Sequence, residues 1–274
     1  LLIKNQENFF QEFYKSEKLT ANESEKSDRY VFGSSTNQIC YSYPVLQEPA
    51  SANSLCKNCR KEIEQALKDL GSLTEELDLV LKTDLEFILG WDDYASGKLD
   101  SALAHYQKSL NFWQKEGKRL DLLEPENPNY CQKNNRYFQL EKLGIIHFYI
   151  ALCYRLKARS NPLKNSEKWK KSYDCLKKSR EIFERANRPE LVAEVITLLE
   201  EVLQQLEAWE ELQFIAKKGI ELHFQYCTHK QVARDYGFLA EVALANYNWQ
   251  QANLLASLAL EILDRGGESL PAEG

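Results

Sequence analysis

Methionine is absent from this chain of 274 residues, and only 7 prolines and 11 glycines interrupt it, so the residues that most often break helices are scarce. No stretch approaches the roughly 18 consecutive apolar residues that a membrane-spanning helix needs. No basic, apolar and small-residue leader opens the sequence. The phosphate-cradling GxxxxGK motif is missing, as are GxGxxG, the nucleophile elbow GxSxG and the zinc-protease HExxH. Histidines occur at 105, 147, 223 and 229 without metal-ligand spacing. His147 and Cys153 stand six residues apart, a separation that places them on different faces of a helix and excludes a Cys–His nucleophile there. These absences predict a soluble, cytoplasmic protein that crosses no membrane, uses no cofactor, binds no metal and is not an enzyme.

Charge and cysteine usage narrow the class further. Lys and Arg total 35 against 41 Asp and Glu, and the net charge of −6 speaks against sequence-independent nucleic-acid binding. The seven cysteines are odd in number, which suits a reducing compartment better than a disulfide framework. Cys56-Lys-Asn-Cys59 is a lone CxxC that supplies two of the four ligands of a structural zinc site, so ordinary thiols are expected. Because the chain begins at Leu1 without methionine, it is expected to be a fragment of something larger.

What the sequence does contain is helical text. Hydrophobic residues make up 43% of the chain, enough for a sizeable core. Residues 1–55 form an irregular N-terminal segment: apolar spacing from Asn5 to Lys15, a polar stretch from Ser16 to Arg29, then Tyr30 to Leu46 without a clear period. Helical spacing starts near Ser54, with Ile63, Leu67 and Leu70, and residues 56–82 read as leading helices. Ser72-Leu-Thr-Glu75 and Thr83-Asp-Leu-Glu86 both fit a capping box and predict new helix starts. Trp169, Trp209 and Trp249 are 40 residues apart, each at a turn between two apolar-periodic segments, and repetition of that kind sets the whole fold. Around the last, Ala240 and Ala252 allow two helices to approach closely, and Trp249 is expected to plug the space at the turn.

Four units emerge. The first has Leu89, Gly90, Tyr94, Gly97, Ala102, Tyr106, Ser109 and Leu110; the second has Ile150, Ala151, Tyr154, Trp169, Ser172, Leu176, Ser179 and Ile182. The third has Leu199, Glu200, Trp209, Leu212, Ala216, Gly219 and Ile220, and the fourth surrounds Trp249. In these positions the sequence resembles the tetratricopeptide repeat (TPR) superfamily in its bacterial-type form. The resemblance covers residues 83–266, leaves 267–274 as a tail or linker, and implies an all-α fold, a right-handed α–α superhelix. Its period exceeds the usual unit of about 34 residues, implying longer helices. Glu200 and Leu212 depart from the family's small residues, so looser or shifted packing is expected there. Extra residues around Ser160-Asn161-Pro162 predict a protruding loop, and Glu124 to Cys131 a surface linker.

The resemblance also implies a function. First helices of such a solenoid line a concave groove that holds a peptide or partner helix. The implied groove residues are Phe87, Trp91 and Tyr94, then Phe148, Leu152 and Arg155, then Thr197, Glu201 and Gln204, then Arg234, Glu241 and Leu244: an aromatic end and a polar end. The plainer reading of Trp91 and Phe148 is burial against the N-terminal segment. If they do face a partner, Trp91→Ala should weaken binding by about 1 to 4 kcal/mol with the fold retained. The Lys and Asn pattern that clamps a C-terminal carboxylate is absent. The expected role is therefore a protein-binding scaffold or sensor, with the regulatory helical portion of a multidomain bacterial signalling or defence effector, linked to a protease or NTPase, as the alternative. A second alternative is nucleic-acid binding through residues 155–188, which hold 12 basic and four acidic residues, although a solvated helix face accounts for them more readily.

Overall fold

The computed structural model describes residues 57–70, 76–121, 130–160 and 165–265. The expectations for the N-terminal segment, for the linker around Glu124, for the loop tip at Asn161 and for the tail lie outside them. Among the described residues there are nine helices: α1 (Lys57–Asp69), α2 (Glu76–Ala95), α3 (Leu99–Asp121), α4 (Tyr130–Arg159), α5 (Ser166–Arg185), α6 (Pro189–Gln205), α7 (Trp209–Tyr226), α8 (His229–Ala245) and α9 (Trp249–Arg265). Each packs chiefly on its neighbours in sequence, as expected of a stack of hairpins: α2 with α3, α4 with α5, α6 with α7, α8 with α9. The all-α, TPR-like expectation holds.

Three-residue turns join many of these helices, and their chemistry recurs. Gly97, Asn187, Glu207 and Tyr247, each the middle residue of its turn, have φ of 74°, 53°, 54° and 58°. The next residue closes the helix end: Lys98 N–H donates to Asp93 O (2.7 Å), Arg188 to Phe183 O (3.0 Å), Ala208 to Leu203 O (3.0 Å) and Asn248 to Ala243 O (2.9 Å). This six-to-one bond with a left-handed residue is the Schellman stop, which satisfies carbonyls the helix leaves open. Only the first turn places glycine at the left-handed position, so the other three hold an L side chain in a disfavoured conformation.

Within the first three pairs, one bare position answers one bulky ring or side chain. A Cβ on Gly90 would stand 2.7 Å from the Tyr106 ring, and one on Gly144 would stand 2.5 Å from Phe183. Buried serines complete the contact: Ser109 donates to Thr83 O (3.0 Å), Ser172 to Ala151 O (3.0 Å) and Ser179 to Gly144 O (2.8 Å). In the third unit the roles reverse. Glu200 and Leu212 are fully buried, and of the looser or shifted packing expected there the second occurs. Gly219 on α7 makes the room instead, its Cβ position lying 2.9 Å from Glu200 Oε1.

Three further expectations are corrected. The box at Thr83 starts no helix, because α2 runs through it from Glu76 and Thr83 is buried. Trp249 plugs nothing: Trp169 is 3% exposed, whereas Trp249 is 65% exposed. At the other end, α1 docks on α2 through Ile63 against Leu85 and Leu89, and Arg60 bonds Asp93 (2.7 Å) and Asp92. Cys153, Cys175 and Cys227 are free thiols, but Cys59 is disulfide-bonded, against the expectation of an ordinary thiol in the CxxC.

Candidate interaction face

First helices of successive units meet directly only on the side that second helices do not occupy, so side chains bridging α4, α6 and α8 mark that shared face. Arg155 Nη1 of α4 donates to Glu201 Oε2 of α6 at 2.7 Å. Arg159 Nε reaches Glu201 Oε1 at 2.9 Å and its Nη2 at 2.5 Å. From α8, Arg234 Nη2 donates to Thr197 O at 2.8 Å and lies 3.9 Å from Glu201. Gln204 of α6 donates to Glu241 of α8. Six residues that the sequence placed on this face, Arg155, Thr197, Glu201, Gln204, Arg234 and Glu241, thus form one polar line across three units, with Arg159 as an added member. The guanidinium of Arg155 is buried; burial lowers its pKa and Glu201 offsets that loss. Three arginines around one carboxylate leave the middle of the line positive.

The aromatic end is built differently. Phe87, Trp91, Tyr94, Phe148 and Leu152 all belong to the core, each 5% exposed or less. Phe87 stands 5.3 Å from Tyr149, edge to face, and 5.5 Å from Tyr106, while Phe148 is 5.8 Å from Tyr149. Such rings contribute through their mutual packing, beyond the area they bury. The structure therefore corrects the expected consequence of Trp91→Ala: removing a core ring reports on folding before it reports on binding. Lys142 is buried here too, bonded to Asp84 at 2.8 Å and lying 4.9 Å over the Trp113 ring; burial lowers its pKa. Leu244, at 43% exposed, is the apolar groove residue left open.

Sequence reasoning missed one cluster. His223 (α7) lies with Nδ1 2.8 Å from Asp235 (α8) and Nε2 2.9 Å from Ala193 O (α6), all buried. A carbonyl only accepts, so Nε2 carries a proton, while Nδ1 faces the carboxyl group of Asp235. Burial alone would lower the His223 pKa, but the Asp235 carboxylate and the Ala193 carbonyl raise it. Beside them Glu200 is pushed up to about 10 by burial and by Asp235. Neither of its oxygens meets an N–H or O–H donor among the described residues. A proton held on Glu200 supplies the hydrogen that two facing carboxyl groups need. The clue in the sequence was a Glu where the pattern wants a small residue, answered by Gly219.

Two other titratable groups, His147 and Cys153, are shut into the interior. His147 is buried and falls to about 4 through burial and Lys178, while burial pushes Cys153 up to about 12. No cluster of metal-ligating side chains occurs among the described residues. None of the described helices is long and apolar enough to cross a membrane. In the basic 155–188 stretch, six cations are seen paired among the described residues: Arg155 and Arg159 with Glu201, Lys157 with Asp100, Lys171 with Glu167, Arg180 with Glu184, and Arg188 with Glu141 and Glu190.

No family model matches the sequence, and no curated protein matches it. Among solved structures, BtubC (BKLC) from P. vanneervenii is similar with a TM-score of 0.57, at 16% identity, over 79% of this chain and 76% of that one. A Podosopora anserina protein with nearly identical TPR-like repeats gives 0.48 at 14% identity, over 77% and 88% of the two chains. In fold this protein is a TPR-like helical repeat solenoid. Repeat scaffolds of that kind commonly bind other proteins.

Proposed function

We propose that this chain is a scaffold that binds a protein or peptide partner along the face shared by its first helices. The observation that carries the reading is the polar line from Arg155 and Arg159 through Glu201 to Arg234, with Gln204 and Glu241 beside it. Paired charges of this kind set register and discriminate among partners more than they add raw affinity. Leu244 supplies an exposed apolar contact at the end of the line. In this reading Phe87, Trp91, Tyr94, Phe148 and Leu152 act from behind, fixing the wall against which a partner lies. Catalysis has no part in it, and no cofactor or metal is required.

The test is affinity capture from native lysate with three baits: the chain, a form lacking residues 1–50, and an Arg234→Ala/Glu241→Ala variant. The expected outcome is a partner held by the first or second bait and lost from the third, whose helicity is unchanged. A partner retained equally by all three would refute the placement on this face. Retention by the truncated form alone would mean that residues 1–50 occupy the face in the free protein.

A further inference from the structure

The 40-residue register shows what each second helix uses its outer face for. Trp169, Leu176, Arg180 and Phe183 of α5 correspond to Trp209, Ala216, Ile220 and His223 of α7 and to Trp249, Ala256, Leu260 and Leu263 of α9. At 3.6 residues per turn these positions form one stripe along the helix. On α5 and α7 the stripe is covered by the rest of the stack: Leu176, Phe183, Ala216 and His223 are buried, and His223 bonds Asp235 on the following helix. On α9 it is bare, with Trp249 65%, Leu260 63% and Leu263 49% exposed and Ala256 open beside them. A bare outer face is ordinarily polar, whereas α9 carries, uncovered among the described residues, the face that α5 and α7 use for stacking.

We propose that a second copy of this chain covers the stripe, the two α9 helices packing antiparallel about a two-fold axis at Ala256. The spacing is self-complementary: Trp249 lies seven residues before Ala256 and Leu263 seven after it, so Trp249 of one copy meets the partner's Leu263. Ala256 at the crossing lets the backbones approach closely. Charge agrees. From Trp249 to Leu260 the helix has no charged residue, whereas α5 over Trp169 to Arg180 has six and α7 over Trp209 to Ile220 has four. A face without charge meets its twin without burying an unpaired ion. In the antiparallel arrangement the acidic last turn, Glu261 and Asp264, lies beside the first turn of the partner helix, which contains no acid. Carboxylates are favourable near that positive helix end. The proposal does not depend on the groove reading, since it uses the outer face of α9 and not the first-helix face.

Sedimentation velocity on the full chain, from low to high micromolar concentration, tests it. The expected mass rises with concentration from 31.8 kDa toward twice that value. Leu260→Lys, at an exposed position, should raise the dissociation constant by roughly a hundredfold, because a charge would enter the interface. Its circular dichroism and melting should be unchanged. Ala256→Cys should give a covalent dimer on mild oxidation well above the level of the parent chain, since the two-fold axis juxtaposes the new thiols. A parent chain monomeric at every concentration overturns the proposal. So does a dimer that Leu260→Lys leaves intact, or an Ala256→Cys variant that cross-links no better than the parent.

Discussion

The two halves of the first-helix face occupy the same repeat positions and are stabilised by opposite means. In units one and two the positions hold Phe87, Trp91, Tyr94, Phe148 and Leu152, withdrawn into a ring cluster around Tyr106 and Tyr149. In units three and four they hold Glu201, Gln204, Arg234 and Glu241, half-buried and bonded helix to helix. The difference teaches that a repeat position prescribes a direction, not a role. An apolar ring pointing that way is drawn into whatever core is within reach, while a charged group pairs wherever it stops, part-exposed as Arg234 or buried as Arg155, since burying it alone is costly. Behind the polar half sits its buried counterpart, Glu200, Asp235 and His223, where the third unit replaces a small residue with an acid and must keep that acid protonated.

The sharpest way to break the contrast is Phe148→Ala against Arg234→Ala. The first should lower the unfolding free energy by about 3 to 5 kcal/mol, the usual cost of emptying a core ring site. The second removes one hydrogen bond at the surface and should cost about 1 kcal/mol. Equal losses in urea denaturation would mean that the halves do not differ.

A middling effect is expected of pH. Folding raises Glu200 from the usual 4.5 to about 10, so above 4.5 the folded state retains a proton that the unfolded state has released. His223 and Asp235 are shifted upward as well, and therefore carry the same sign. Stability should accordingly be greatest in mild acid and decline as pH rises toward 10, with a slope of up to about 1.4 kcal/mol per pH unit for each proton retained. Glu200→Gln, which keeps the shape and cannot ionise, should flatten that decline in thermal melts taken across the range. An unchanged slope in the variant would place the retained proton elsewhere.

The smallest effect concerns the turns. Glu207→Gly should raise stability by about 1 kcal/mol, because it relieves a left-handed L residue at φ 54°. Gly97→Ala should lower it by a similar amount at φ 74°, although open space surrounds that position. Chemical denaturation of both variants would show whether the four turns are equivalent.

Much of the architecture was legible before any coordinates. Scarce proline and glycine, the tryptophans 40 residues apart and the Ala and Gly positions pointed to helix pairs and their order; the TPR resemblance put Arg155, Glu201 and Arg234 on neighbouring first helices, where both arginines meet Glu201. Periodicity works for this because it reports which side of a helix avoids water, a property of neighbours three and four residues apart. It does not report what covers that side. Thr83 looked like a helix start, yet α2 continues through it because its buried face packs on α3. Trp249 looked like a plug and stands open, since no described helix follows α9 in the stack. The Glu200, Asp235 and His223 cluster joins three helices across a distance in sequence that no local pattern spans. Local sequence chose the helices and their faces; only tertiary stacking, which brings side chains from α6, α7 and α8 to one dry point, decided which polar groups must share protons and which apolar ones remain uncovered.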